Sequence, residues 1–390
     1  MRIAIVGAGI AGLVTAAGIQ ADGHEVAVFE RRDEPNPVGA GLTLFNNAFA
    51  ALDLLGLGDS IRQISRDGIV SGAIAAMRPT RNGPKVSWLL SVPSSATATM
   101  RSVHRVALHR ELMAQLAPGT VRTGSAALVA ADGTPQVTAS GRTEQFDLVV
   151  VADGLRSRNR EILGLDTGLR YAGYTAWRGV TEQPVSFAVQ PGEIWGRGQV
   201  FGMVPLPDAR VYWYATRNTA EGQRVDNEYE LVREEFSGWH ETVQECIAVT
   251  APDAVMRHDI YDLAKPLTSF VRGRTVLLGD AAHAMTPNLG QGAGQGIEDA
   301  ATLTCLLRDA GGRMLRDASG EALDAALAKY SQLRQKRTSS VLRRSRSAGL
   351  MAQAEHPAAV GFRNALTRLM PPQVMSAMTQ RLQQWPKPEL

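Results

Sequence analysis

The sequence predicts an α/β fold: a discontinuous Rossmann-like domain, a mixed-sheet domain inserted into it, and C-terminal helices. Three observations carry this reading. A β-branched run at residues 2–6 passes through a glycine turn into a helical segment and then a second apolar strand at 25–30. Buried-type strands return much later, at 146–151 and 275–278, so the first sheet is left and re-entered. Between those two returns, residues 171–262 hold several aromatic strand candidates, which calls for a separate sheet.

In chain order, the opening strand–turn–helix–strand unit is followed by a connection punctuated by Pro35, Pro37, Gly39 and Gly41, then a helix over 47–55 ending at Gly56. Residues 69–99 read as strand and loop, and 106–116 as helix. Further strands are expected at 174–177, 193–195, 199–204 and 211–217. A helix over 296–308 follows the 275–278 strand, and the last 60 or so residues read as helices that cover the domain seam or a partner. No internal repeat is present.

At 390 residues and 44% hydrophobic content, the chain suits two packed domains. Forty-one basic against 38 acidic residues give a net charge of only +3, with no concentrated basic tail, so a nucleic-acid partner is not expected. The densest basic stretch, Arg334 to Arg346 with Lys336, Arg337, Arg343 and Arg344, reads as the solvated face of a helix. Cys246 and Cys305 stand far apart, outside any metal or disulfide spacing, and point to a reducing compartment. No apolar run approaches a membrane span and no leader pattern is seen, so a cytoplasmic chain without a membrane partner is expected.

The glycine turn is Gly7-Ala8-Gly9-Ile10-Ala11-Gly12, set between a strand and a helix, where G-x-G-x-x-G signals nucleotide binding. Gly7 permits the tight turn, Gly9 lets the backbone approach a diphosphate, and Gly12 lets helix and strand pack closely. The helix N-terminus attracts the anion, and Glu30 at the end of the second strand is placed to accept from ribose hydroxyls. Arg31 flanks the adenine end or lies on the surface, since an acidic Glu30 would repel a 2′-phosphate. This unit alone does not separate FAD from NAD.

Two more motifs follow. Val151-Ala152-Asp153-Gly154-Leu155-Arg156-Ser157, with Arg160, closes an apolar strand, and Gly279-Asp280-Ala281-Ala282-His283 runs on through Pro287 to Gly290-Gln291-Gly292 and Asp299-Ala300. With them the chain resembles the FAD-dependent monooxygenases of the para-hydroxybenzoate hydroxylase fold, the group A flavoprotein hydroxylases, along nearly its whole length. The resemblance implies FAD, NADPH or NADH as transient co-substrate, and molecular oxygen. It makes the Rossmann-like part the FAD-binding domain (1–72, 99–170, 263–345), the inserted part the substrate domain (73–98, 171–262), and 346–390 a C-terminal helical segment.

It further implies that Asp280 binds the ribityl hydroxyls, that Asp153 organises FAD and NAD(P)H, and that Arg105, opening an Arg-x-x-Leu helix, contacts FAD. Gly290, Gly292 and Ala293 offer backbone donors to the negative charge of reduced flavin. His283 packs within the motif, without a proton-transfer role. The stretch from Gly39 to Ala48 resembles the family's mobile region, although Asn46 replaces a common proline. In the family's chemistry oxygen adds at flavin C4a and the distal hydroperoxide oxygen attacks an electron-rich carbon. The substrate is then a phenolic, heteroaromatic or polyketide-like small molecule. An epoxidase or dehydrogenase reading stays open, as does a non-catalytic flavin protein.

For the substrate, alternation along 211–216 places Tyr212 and Tyr214 on one face and Trp213 on the other. Tyr212 resembles a substrate-side tyrosine of some relatives, and with Pro287 and Gly290 forms the set of candidate catalytic positions. Val200 and Gly202 share a face with Val204, which predicts an apolar, wide pocket lacking a carboxylate clamp. Trp177 borders the pocket or serves structure. His258, Asp259 and Asp262 have no metal-ligand pattern, and no metal is expected. With a single G-x-G-x-x-G motif, NAD(P)H visits a groove shared with FAD. A monomer or homodimer is expected.

Overall fold

The computed structural model describes residues 1–34, 40–67, 73–78, 85–90, 99–187, 191–308 and 320–388. Pro35, Pro37 and Gly39, and much of the strand-and-loop stretch 69–99, lie outside the described residues.

Two sheets divide the chain. The first has six strands, in the order Val271–Arg272, Thr275–Leu277, Leu148–Val151, Arg2–Val6, Glu25–Phe29, Val121–Arg122. All pairs are parallel except the Val271–Arg272 edge. Parallel strands are covered on both faces, which is why Ile3, Ile5, Leu148 and Val150 are apolar without alternation and fully buried. Helix Ile10–Ala21 crosses helix Gly292–Leu306 closely because Gly296 has no side chain: a methyl there would meet the Ala11 Cβ at 3.0 Å.

The second sheet has seven strands, in the order Met256–Leu263, Leu169–Val180, Val211–Asn218, Gln199–Pro205, Gly192–Trp195, Ala73–Arg78, Lys85–Leu90. Helices Glu228–Glu235 and Glu241–Ala248 cover one face, where Trp177, Phe201, Trp213, Phe236 and Trp239 form a second core. The sequence reading had only aromatic strands here. It missed these short helices, whose exposed faces are charged, and the polar strand Met256–Leu263. The other face turns toward the first sheet: Tyr174 donates to Asn288 at 2.8 Å, and Ser102 donates to the Pro205 carbonyl at 2.5 Å.

Helix Glu321–Ala352 runs along the seam, with Arg346 on the buried Asp262 at 2.6 Å and Gln353, at its C-cap, on Thr216. The expected solvated face of arginines is corrected at three positions. Arg334 is buried and donates to Asp299 and Glu298, each at 2.6 Å. Arg337 also donates to Glu298, and Arg346 to Asp262. Lys336, Arg343 and Arg344 do face solvent. The reason is helical phase: Tyr330, Arg334, Thr338, Val341 and Ser345 share the buried stripe, so Arg334 must be neutralised by acids from the facing helix.

Candidate active site

The first glycine turn is built by contact. A Cβ on Gly7, whose φ is +109°, would lie 2.4 Å from the Ala152 carbonyl oxygen, and one on Gly12 would lie 2.0 Å from that of Gly7. Gly9 instead has open space where a side chain would stand, at the N-cap of the Ile10–Ala21 helix, so its backbone is free to meet a diphosphate. Ala11 lies in the first turn of that helix. Glu30 accepts from the Ala8 N–H at 2.9 Å and the Arg32 N–H at 3.0 Å. Its carboxylate is thereby fixed at the strand end with lone pairs remaining for a hydroxyl. Arg31 is exposed.

Asp153 follows the Leu148–Val151 strand beside this turn. One oxygen accepts from the Asn159 side chain at 2.9 Å; the other is buried with no partner among the described residues. Arg160, also buried, donates to Asp166, to the Leu155 carbonyl and to the Ala281 carbonyl, tying this motif to the third.

In the third motif Gly279, at φ +58°, caps the short Asp280–His283 helix and leaves Asp280 exposed. Buried Asp299 accepts from the Gly279 N–H at 2.8 Å and pairs with His283 Nε2 at 2.6 Å, so His283 serves the loop's shape. Pro287 starts a single turn ending at Gly290, a left-handed residue at φ +62° packed against the Phe45 ring. Gly292 and Ala293 then open helix Gly292–Leu306, whose first N–H groups have no intrahelical acceptor. Asn46, in place of the common proline, starts helix Asn46–Leu54, and the buried Asn47 amide donates to Gln291 at 3.0 Å and Glu298 at 2.7 Å. Arg105 opens helix Arg105–Ala114; burial lowers its guanidinium while the nearby Asp280 carboxylate opposes that shift. The two charges are therefore neighbours.

The face of the second sheet away from its helices lies on the same side, since Arg178 and Tyr212 also act on Arg105. Strand register aligns Met256, Arg178, Tyr214, Gly202, Glu193 and Ile74 in one row. Tyr214 lies over Gly202, where a Cβ would fall 2.1 Å from its ring, and donates to Glu193 at 2.5 Å. Burial and Glu193 raise the Tyr214 phenol well above its ordinary value, so it stays a donor. Trp195 donates to the other Glu193 oxygen at 2.7 Å. Tyr212 packs on Gly41, its hydroxyl without a hydrogen bond among the described residues. Arg178 has a buried Nε with no partner and no ion pair among the described residues.

Tyr212, Tyr214, Val200 and Gly202 thus share the site face. Trp177 does not: it is one residue from Arg178, so the pleat turns it to the opposite face, where its indole donates to Glu228 at 2.8 Å. Nor is the face wholly apolar and wide, because Arg178 and Glu193 stand in it and Tyr214 fills the space over Gly202. Sequence reasoning gave no site role to Arg178, Glu193 or Phe45. Alternation from Tyr174 does place Arg178 on the Tyr174 face, but Glu193 emerges only from the strand order.

An open Gly9 cradle, the orphaned Asp153 oxygen, the exposed Asp280 and two helix N-termini without side-chain caps fit a dinucleotide. Residues 1–345 match the family described as FAD binding domain, and the chain belongs to that family. It is an FAD-dependent monooxygenase of the para-hydroxybenzoate hydroxylase fold, with NAD(P)H as co-substrate. Among its relatives, aurachin C monooxygenase/isomerase of Stigmatella aurantiaca is 36% identical, over 98% of this chain and 97% of the relative. The 2-heptyl-3-hydroxy-4(1H)-quinolone synthase of Pseudomonas aeruginosa is 33% identical over the same shares, 98% and 97%. The Klebsiella pneumoniae HpxO structure with FAD and uric acid superposes with a TM-score of 0.82 at 26% identity, covering 98% of this chain and 96% of that one.

Proposed function

We propose that this monooxygenase hydroxylates an electron-rich heteroaromatic ring, of the 4-quinolone type, that carries an oxygen beside the reacting carbon. The observation that carries the reading is two donors on the site face that meet no acceptor among the described residues, the buried Arg178 Nε and the hydroxyl of Tyr212, a residue packed beside Ala40 and Leu206. A buried N–H donor without a partner is costly unless a ligand supplies the acceptor. A relative matched along 98% of this chain, the 2-heptyl-3-hydroxy-4(1H)-quinolone synthase, supports the substrate class.

In this division of labour residues 1–72, 99–170 and 263–345 hold the cofactor, and 73–98 with 171–262 hold the substrate. Gly7, Gly9, Ala11, Gly12, Glu30, Arg31 and Asp153 would take the adenosine diphosphate end; Arg105, Asp280, Gly290, Gly292 and Ala293 the ribityl and flavin end. Bound FAD supplies electron transfer from NAD(P)H and activation of oxygen. Pro287 and Gly290 set the loop that faces the ring. Arg178 and Tyr212 orient the substrate oxygen and favour its anionic form, which puts electron density on the adjacent carbon. Tyr214, held by Glu193, closes the floor. We place the enzyme, monomeric or homodimeric, in a reducing cytoplasmic setting, in keeping with its two buried free cysteines.

The test is NAD(P)H oxidation with a panel of 2-alkyl-4-quinolones and phenols. At least one ring should stimulate oxidation and yield hydroxylated product; stimulation by none, or peroxide alone, contradicts the assignment. Separately, Asp280→Ala should lose FAD during purification, whereas Tyr212→Phe should retain it, because only the former removes a charge-assisted cofactor contact. Equal flavin absorbance per protein in the two variants would contradict this.

A further inference from the structure

Helix Pro357–Leu369 is inside out. Its buried side chains are Arg363 and Thr367, one turn apart. Arg363 donates to the Ala352 carbonyl at 2.9 Å and the Gly196 carbonyl at 3.0 Å, lying over the Trp195 ring, and the Thr367 hydroxyl donates to the Arg363 carbonyl. The outward side carries Phe362, Leu366 and Leu369, spaced i, i+4, i+7 and 71%, 43% and 79% exposed. Leu350, 75% exposed, lies near the end of the helix whose Ala352 carbonyl Arg363 grips. A helix on a water-facing surface turns its apolar stripe inward. Here the inward contacts of Arg363 fix the opposite orientation.

Charge identifies what covers the stripe. Between 343 and 387 the exposed charged side chains are Arg343, Arg344, Arg368, Arg381 and Lys387, against Glu355 alone. Two copies meeting through this surface would oppose like charges at close range. An outward apolar helix face on a C-terminal segment whose exposed charges are almost all basic matches an acidic lipid surface in both respects. We propose that this C-terminal arm docks on anionic membrane surfaces, with Phe362, Leu366 and Leu369 at the acyl boundary and the arginines among the headgroups. No helix of the described residues is long and apolar enough to cross a membrane, and lying in the interface does not require one. The expectation of no membrane partner rested on the absence of a spanning run, whereas this surface arises from the orientation of one helix. The inference does not depend on the substrate assignment.

The arm packs on the Lys85–Leu90 edge of the substrate-facing sheet, and Ala352 joins Trp195 and Val200 on the site face. Docking would therefore bring that edge to the membrane.

The experiment is co-sedimentation of the full FAD-loaded enzyme with vesicles of phosphatidylcholine, alone or mixed with phosphatidylglycerol. The bound fraction should be about tenfold higher on the anionic vesicles at low salt and fall as salt is raised. The F362S/L369S double variant should lose about tenfold of that binding, and R343E/R344E should lose the lipid-charge preference, both with unchanged FAD content and turnover. Equal recovery with and without vesicles, or binding indifferent to both variants, overturns the proposal. So does an F362S/L369S enzyme that changes only from dimer to monomer in analytical ultracentrifugation, which would assign the stripe to a second copy.

Discussion

Arg178→Met is expected to lower kcat/KM for the hydroxylated ring by roughly 100-fold while leaving FAD content at the wild-type level. The side chain stands in the row Met256–Arg178–Tyr214–Gly202, and no acceptor among the described residues meets its buried Nε. Its removal therefore breaks no hydrogen bond or ion pair among the described residues, and the loss falls on the substrate. Arg178→Lys should recover part of the loss, since the charge returns without the planar fork. Tyr212→Phe should cost about tenfold, the worth of one neutral donor. Steady-state kinetics with product quantified against NAD(P)H consumed checks all three, and a fall in coupling without a fall in flavin reduction would place the defect at substrate orientation. Unchanged kcat/KM in Arg178→Met would remove the guanidinium from the site.

Arg334→Met is expected to destabilise the protein by about 3–5 kcal/mol and to yield chain depleted of FAD. Arg334 holds Asp299 and Glu298, and through them the Gly279 N–H, His283, Asn47 and Gln295. The Gly279 turn, the start of helix Gly292–Leu306 and the start of helix Asn46–Leu54 hang on one guanidinium. Burial alone would raise the Asp299 carboxyl, but His283 and Arg334 outweigh it and hold it down to about 2. Its contribution is thus fully present above the ordinary carboxylate value of 3.8 and is lost as pH falls through about 2. Urea unfolding followed by flavin and tryptophan fluorescence gives the loss. Adding Asp299→Asn and Glu298→Gln to Arg334→Met should recover part of it, because the uncompensated buried charges go with the guanidinium. A variant within about 0.5 kcal/mol of wild type would show that the network is slack.

The glycine turn, the strands of the first sheet and the aromatic strands of the second were legible because each is written locally, in periodicity or in a residue no other can replace. Gly7 and Gly12 are such positions, since any Cβ would strike backbone. Arg334 was misjudged because a basic run looks solvated until helical phase is followed from Tyr330, and its acids lie 35 and 36 residues away in sequence. The Arg178–Tyr214–Gly202–Glu193 row could not be read, because it depends on which strands become neighbours and in what register. Trp177 shows the same limit: aromatic residues on adjacent strands gave no sign of which face the cofactor domain would cover. The C-terminal helices were legible as helices, but the turning of Phe362 outward depends on carbonyls of Gly196 and Ala352 that only the folded chain presents to Arg363.

The central claim is that the site face inserts one oxygen atom into a heteroaromatic ring held by Arg178 and Tyr212. Turnover of a 2-alkyl-4-quinolone under ¹⁸O₂ with NAD(P)H, followed by mass spectrometry of the product, tests it most directly. A hydroxylated ring carrying a single ¹⁸O atom, formed by wild type and strongly reduced in Arg178→Met, is the predicted result. A product that is dehydrogenated, or whose new oxygen comes from water, would contradict it.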